Sequence, residues 1–152
     1  NAVSVDHLEE LSPDDIAALA SASENGQPVI ATALPGCSYF LGIPYTPTRK
    51  LMEADVPVAL ATDFNPGSAP SSNMARAVQL AVLKSSMLPI EAIAAATLNG
   101  AAAMEVADCA GVIARGRAAN VLLTKEMNGL EDFAYDFGEE PVEKVFIDGV
   151  AL

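Results

Sequence analysis

Positive charge is scarce in this chain. Eight Lys+Arg residues stand against 20 Asp+Glu in 152 residues, a formal net charge of −12. That balance argues against non-specific nucleic-acid binding, which depends on cations neutralising phosphates, and against electrostatic docking on an anionic membrane surface. There is one histidine, His7, and no tryptophan. The two cysteines, Cys37 and Cys109, are too few and too far apart for a disulfide framework or a CxxC metal knuckle. They read as inert thiols of a reducing cytoplasm. No apolar run reaches the length of a membrane span. The chain also lacks a P-loop, a dinucleotide fingerprint and an HExxH helix. Its first residues, Asn1 to His7, carry no initiator Met, no basic region and no signal-peptide core. They read as the interior of a longer sequence, with a large part expected upstream.

What is present is a globular composition. Hydrophobic residues make up 51% and charged residues 18%, which excludes disorder and is enough for one domain with a small appendage. A short β-prone run, Ala2 to Val5, ends at Asp6-His7. Ser12 and Pro13, followed by Asp14 and Asp15, open a helix with Ile16, Leu19 and Ala20 on its apolar stripe and Gly26 at its end. Val29 to Ala33 reads as a strand closed by Leu34-Pro35-Gly36, and Thr46-Pro47 opens a helix to Ala54. Val58 to Thr62 is a continuous apolar run of the kind buried on both faces in parallel sheets. A polar loop, Asp63 to Ser72, leads to a helix with Met74, Ala77, Val78, Ala81 and Val82 on one face. Pro89-Ile90-Glu91 starts another, interrupted at Asn99-Gly100. Three alternations of strand and helix imply βα units and a parallel sheet. After about Val106 the pattern turns to β: a hairpin-like Gly111–Gly116, strands at Ala119–Leu123 and Val142–Ile147, and a turn at Asp148-Gly149. The expected division is 1–105 and 106–152.

Parallel βα architectures place function at the C-terminal ends of their strands, which singles out His7, Pro35-Gly36 and Asp63. His7 has two readings, a structural hydrogen bond or a reactive imidazole. Its flanking acids, Asp6 and Glu9, could be helix-entry charges. Asp63, ending an apolar strand, must cap a turn, meet a cation or take part in a reaction. As a turn former it would open the Asn65-Pro66-Gly67 loop. Gly67 lets backbone amides approach a ligand, and Asn65, Ser68, Ser71 and Ser72 supply neutral polar groups. Tyr39, Phe40 and Tyr45 read as core, Asn99 as a helix-terminus signal, and Glu131, Asp132, Glu139 and Glu140 as a solvated loop face.

Several of these segments, taken together, carry a resemblance. Ser4-Val5-Asp6-His7-Leu8-Glu9, Leu34-Pro35-Gly36 and Ala59-Leu60-Ala61-Thr62-Asp63-Phe64-Asn65-Pro66-Gly67-Ser68 resemble the imidazolonepropionase branch of the amidohydrolase superfamily. Ala95 to Met104 and the tail strands to Gly149 are similar to that superfamily's last barrel helices and closing strands. The resemblance implies an α/β fold: the C-terminal part of a (β/α)8 TIM barrel, its last three βα units, followed by strands of a small composite β-domain. It implies one divalent metal ion, zinc or iron, and hydrolysis of 4-imidazolone-5-propanoate to N-formimino-L-glutamate in histidine degradation. By position, Asp63 matches the aspartate that binds the metal and handles the water's proton. His7 matches a histidine placed beside the substrate carbonyl. Asn65, Gly67 and Ser68 match loop positions that contact substrate or product.

The family's other metal ligands, a His-x-His pair and a further histidine followed closely by a catalytic glutamate, have no counterpart in a chain with one histidine. Asn120 stands where an aspartate is common. The sequence therefore resembles the C-terminal part of such an enzyme, inactive alone, cytoplasmic, acting on a small molecule and homodimeric at full length. Two alternatives stay open: a related amidohydrolase that deaminates a small heterocycle, and a non-catalytic half-barrel remnant.

Overall fold

The computed structural model describes residues 2–152. Its first sheet is built from three parallel strands in chain order, β1 (Ser4–Asp6), β2 (Ile30–Ala33) and β3 (Val58–Leu60). Asp6 lies opposite Thr32, and Ala33 opposite Leu60, so all three strands end at the same edge. Every residue of β2 and β3 is buried, as expected of strands covered on both faces.

The helices that cover this sheet begin where their chemistry dictates. In α1 (Pro13–Glu24) the Asp15 amide donates to Ser12 Oγ at 3.3 Å and the Ser12 amide to Asp15 Oδ2 at 2.9 Å, a reciprocal cap. Asn73 caps α4 (Met74–Lys84) by accepting from the Arg76 amide at 2.9 Å. Pro89 opens α5 (Pro89–Ala96), where Glu91 reaches back to the Leu88 amide at 2.7 Å. Ala31, Ala33, Leu51, Val58, Leu60, Val78, Ala81, Ala92 and Ala95 form the buried core, against which Ile16, Leu19 and Ala20 of α1 pack. Truncating the fully buried Leu51 to alanine would cost about 2–5 kcal/mol.

The second sheet is antiparallel, β4 (Val121–Thr124), β5 (Val142–Ile147) and β6 (Val150–Ala151), with a register shift at Leu123/Thr124. Asp148 and Gly149, both at positive φ (50° and 79°), make the tight turn between β5 and β6. The buried Gln79 of α4 ties the two regions together: its Nε2 donates to the carbonyls of Phe133, Asp136 and Glu139 at 3.2–3.4 Å.

Four local expectations change. Pro35-Gly36 opens a helix, α2 (Pro35–Leu41), ahead of α3 (Thr48–Glu53), because proline suits a first helical turn as well as a strand end. Gly111–Gly116 forms turns with no strand, since both glycines sit at positive φ. The helical break falls at Thr97, and Asn99 lies inside α6 (Leu98–Ala103), where its Nδ2 donates to the Val58 carbonyl at 2.7 Å. Tyr39 and Phe40 lie on the outer face of α2 and are exposed. A four-residue helix, α7 (Asp132–Tyr135), occupies the acidic loop.

Candidate active site at the strand ends

The first sheet delivers His7 and Asp63 to one edge, just beyond the ends of β1 and β3. Both have left-handed backbones, φ 73° and 54°, and Leu8 follows at 74°. A non-glycine residue held there marks a conformation fixed by its surroundings, and such positions cluster at functional sites. At His7 the surroundings are visible: the Thr46 hydroxyl donates to the His7 carbonyl at 2.5 Å, and Thr46 is buried. The imidazole itself is half-exposed, with Nδ1 at 3.5 Å from Glu9 Oε1.

The loop after β3 is closed by Asn65. Its Oδ1 accepts from the amides of Gly67 and Ser68, both at 2.8 Å, and its Nδ2 donates to the Asp63 carbonyl at 2.6 Å and to Ser68 Oγ at 3.0 Å. A backbone pairing between Asn65 and Ala69 completes the turn. Asn65 therefore forms the Asx-turn, and the Asp63 carboxylate is not spent on it. Asp63 Oδ2 instead accepts from Ser68 Oγ at 3.3 Å. Asp63, Asn65, Gly67 and Ser68 thus make one hydrogen-bonded unit, with Phe64 exposed between the first two.

Two side chains that sequence reasoning left outside the site stand within it. Cys37, in the first turn of α2, is buried with Leu34, Ala69 and Ala61. Burial pushes its thiol above the usual range; a hydrogen bond with Ser68 pulls it down, while Asp63 and Glu9 push it further up. Glu9 meets both His7 and Ser38, whose Oγ donates to Glu9 Oε1 at 3.5 Å. Nothing in the local sequence marks Cys37, because Pro35-Gly36 reads as the close of a strand and not as the start of the helix that turns the thiol inward. For Glu9 the signal was its spacing two residues after His7. Chemically the edge offers a carboxylate held by a hydroxyl donor, an exposed imidazole and a loop of small polar groups. Among the described residues no three His, Cys, Asp or Glu side chains come together as a metal-holding group.

A cleft of about 1,100 Å³ lies elsewhere, between α4, α5 and the second sheet, with Met74, Val78, Phe133 and Val145 among its walls. No helix is long and apolar enough to cross a membrane.

Comparison with known proteins agrees with this architecture. The chain is 50% identical over 149 residues to the imidazolonepropionase of Flavobacterium johnsoniae, which covers 98% of this chain and 35% of that protein. It is 38% identical over 144 residues to the imidazolonepropionase of Caldanaerobacter subterraneus, covering 95% and 33%. The chain thus spans about a third of the length of the curated relatives it matches. Among solved structures, a zinc-bound adenosine deaminase from Xanthomonas campestris superposes with a TM-score of 0.80 at 22% identity, covering 97% of this chain and 36% of that one. The zinc complex of atrazine chlorohydrolase from Arthrobacter aurescens gives 0.81 at 18%, covering 98% and 35%. At these identities the likeness shows the fold alone, a part of the amidohydrolase architecture. The sequence model of the amidohydrolase family matches residues 10–152, and over that extent the match admits one conclusion: this chain belongs to the amidohydrolase family.

Proposed function

We propose that this chain is the C-terminal part of a metal-dependent hydrolase that opens the ring of 4-imidazolone-5-propanoate to give N-formimino-L-glutamate, a step of histidine degradation. The observation that carries the reading is the placement of His7 and Asp63 at one edge of a parallel sheet, each in a left-handed backbone. The 50% identity to an imidazolonepropionase supports this substrate over a heterocyclic amine.

In this reading Asp63 takes a proton from the attacking water, whose oxygen adds to the ring carbonyl carbon. His7 stands beside that carbonyl and donates to the developing oxyanion. The ring C–N bond then breaks, and the released nitrogen takes up the proton that Asp63 held. Asn65, Gly67 and Ser68 hold the substrate: Ser68 through its hydroxyl, Gly67 by letting the substrate approach a backbone that carries no side chain, and Asn65 by fixing both.

One divalent ion, zinc or iron, belongs to this proposal, with Asp63 as a ligand. The carboxylate at the strand end suits it, but a zinc site needs three or four protein donors, and the described residues bring no such group together. The chain alone does not fit a complete site, and its remaining ligands would lie in the part of its relatives' length that it does not span. The two free thiols support a reducing compartment, the cytoplasm. The whole enzyme is read as a homodimer acting on a small molecule. The domain division at 105/106 belongs to the same proposal.

The test is turnover by the chain carried to the length of its relatives. Ring opening of 4-imidazolone-5-propanoate, without ammonia release from aminated heterocycles, is the expected result. Ammonia release with no ring opening would overturn it.

A further inference from the structure

We propose that Glu9 is the positioning residue for the His7 imidazole; the inference rests on the functional reading above and deepens it. The two side chains meet at 3.5 Å, Glu9 Oε1 to His7 Nδ1, and their exposures are opposite. The Glu9 side chain is 10% exposed and that of His7 51%. The carboxylate is therefore the anchored member of the pair and the imidazole the presented one. A nearly buried carboxylate needs partners. Among the described residues, His7 is the one group able to carry positive charge within 4 Å of it. Its second partner is the Ser38 hydroxyl, 1% exposed, which donates to the same Oε1 from α2 at 3.5 Å. Glu9 is thus fixed from the element that follows β2, while His7 is fixed at its backbone by Thr46.

The chemistry follows from which nitrogen is engaged. A carboxylate at Nδ1 stops the ring from flipping and leaves Nε2 as the nitrogen that meets substrate. In its protonated form the ring has two N–H donors, and the arrangement gives each an acceptor: Glu9 for one, the developing oxyanion for the other. The contact is open in the free site, and catalytic hydrogen bonds commonly shorten once substrate is bound. Glu9 also reaches toward the Asp63 loop through Ser38, whose neighbour Cys37 is buried against Ala69 of that loop.

The experiment is a double-variant cycle in the chain carried to its relatives' length. Glu9→Ala should lower kcat about 10- to 100-fold, the range for carboxylates that orient metal-bound histidines, with KM nearly unchanged and a lower Tm, because the buried Ser38 hydroxyl loses its acceptor. Glu9→Gln keeps an acceptor and should recover part of the loss. In a His7→Ala background, Glu9→Ala should have no further effect. Unchanged kcat in Glu9→Ala, or the same loss in both backgrounds, would overturn the inference. If wild type opens the ring and His7→Ala is impaired, those results sink the inference alone. If wild type opens no ring, the functional reading fails, and the pairing is then read without turnover. His7 is the only histidine of the 152 residues, so its two ring ¹⁵N resonances in this chain report the contact directly. Glu9→Gln should move them, and unmoved resonances would overturn the pairing itself.

Discussion

Ser68 Oγ donates to Asp63 Oδ2 over 3.3 Å while the same hydroxyl stands 3.0 Å from the Asn65 amide nitrogen. One small side chain thereby couples the carboxylate to the turn that presents it. Asp63→Asn keeps the shape of this unit and removes its charge. In the full-length enzyme turnover should fall at least about 10²–10⁴-fold, the range general-base action contributes, with the melting curve unchanged. His7→Ala should also lower turnover but leave metal content closer to wild type than Asp63→Asn does. Retained activity in both variants would refute the assignment.

Ser68 and Asn65 should separate in their effects. Ser68→Ala removes the hydroxyl proposed to meet substrate, together with its bonds to Asp63 and Asn65, and should raise KM roughly two- to tenfold with kcat changed less. Asn65→Ala strips five side-chain hydrogen bonds from the loop, so it should raise KM and also lower Tm. Kinetics and melting curves on the same two proteins distinguish a substrate contact from a brace.

The 152-residue chain alone should hold divalent metal weakly. Asp63 and His7 supply at most two donors, and a stable zinc site takes three or four. Metal analysis after dialysis checks this; stoichiometric zinc or iron retained by the chain would reveal a site formed otherwise.

Acid should loosen one defined joint. Arg49 Nη2 lies 2.5 Å from Glu91 Oε2 and also donates to the Ser86 carbonyl, joining α3 to the start of α5. The hydrogen bond from Arg49, helped by the Leu88 amide, holds the Glu91 carboxyl below its usual range. A depressed carboxyl stabilises the fold above its unfolded-state value, and that contribution disappears as pH falls through the folded one. Glu91→Gln should therefore melt below wild type at pH 7, and the gap should close as pH drops below the ordinary carboxylate range. A gap independent of pH would show that the ion pair contributes nothing.

Gly111 admits no side chain. Its φ is 89°, and a Cβ there would stand 2.7 Å from Ala101 Cβ and 3.1 Å from the Thr97 carbonyl oxygen. Gly111→Ala should destabilise by about 1–3 kcal/mol through overpacking, with backbone strain added. Chemical denaturation measures it.

Where one physical signal decides a local structure, the sequence read correctly. Ser12 and Pro13 place the start of α1, the run Val142 to Ile147 is β5, and the unbroken apolar stretch at Val58 is a buried parallel strand. Reading failed where a residue serves two structures equally. Pro35-Gly36 suits a strand end and a helix start, and the choice of helix turned Cys37 inward and Tyr39 and Phe40 outward. Asn99 suits a helix end, yet it reaches 41 residues back to the β3 backbone. The arrival of Asp63 and His7 at one edge of the first sheet is legible in the sequence, because each follows a β-prone run. An Asx-turn is one of the readings that sequence leaves open for Asp63, and Asn65 two residues on has the side chain that forms it. Glu9 was legible as a charge but not as a partner, since burial is not written in local sequence.

The left-handed backbones at His7, Leu8 and Asp63 also bear on how this gene would decay. An ordinary side chain in that region costs about 1–2 kcal/mol, less for aspartate, whereas glycine enters it freely and gives up roughly 0.5–1 kcal/mol of unfolded-chain entropy. While His7 serves a reaction, selection holds the strained residue in place. Once the reaction is no longer needed, glycine at position 7 relieves the backbone but takes from the nearly buried Glu9 carboxylate its one cationic partner among the described residues. A duplicated copy that has lost its chemistry would therefore be recognisable by paired changes at positions 7 and 9, the second removing the charge that the first leaves alone.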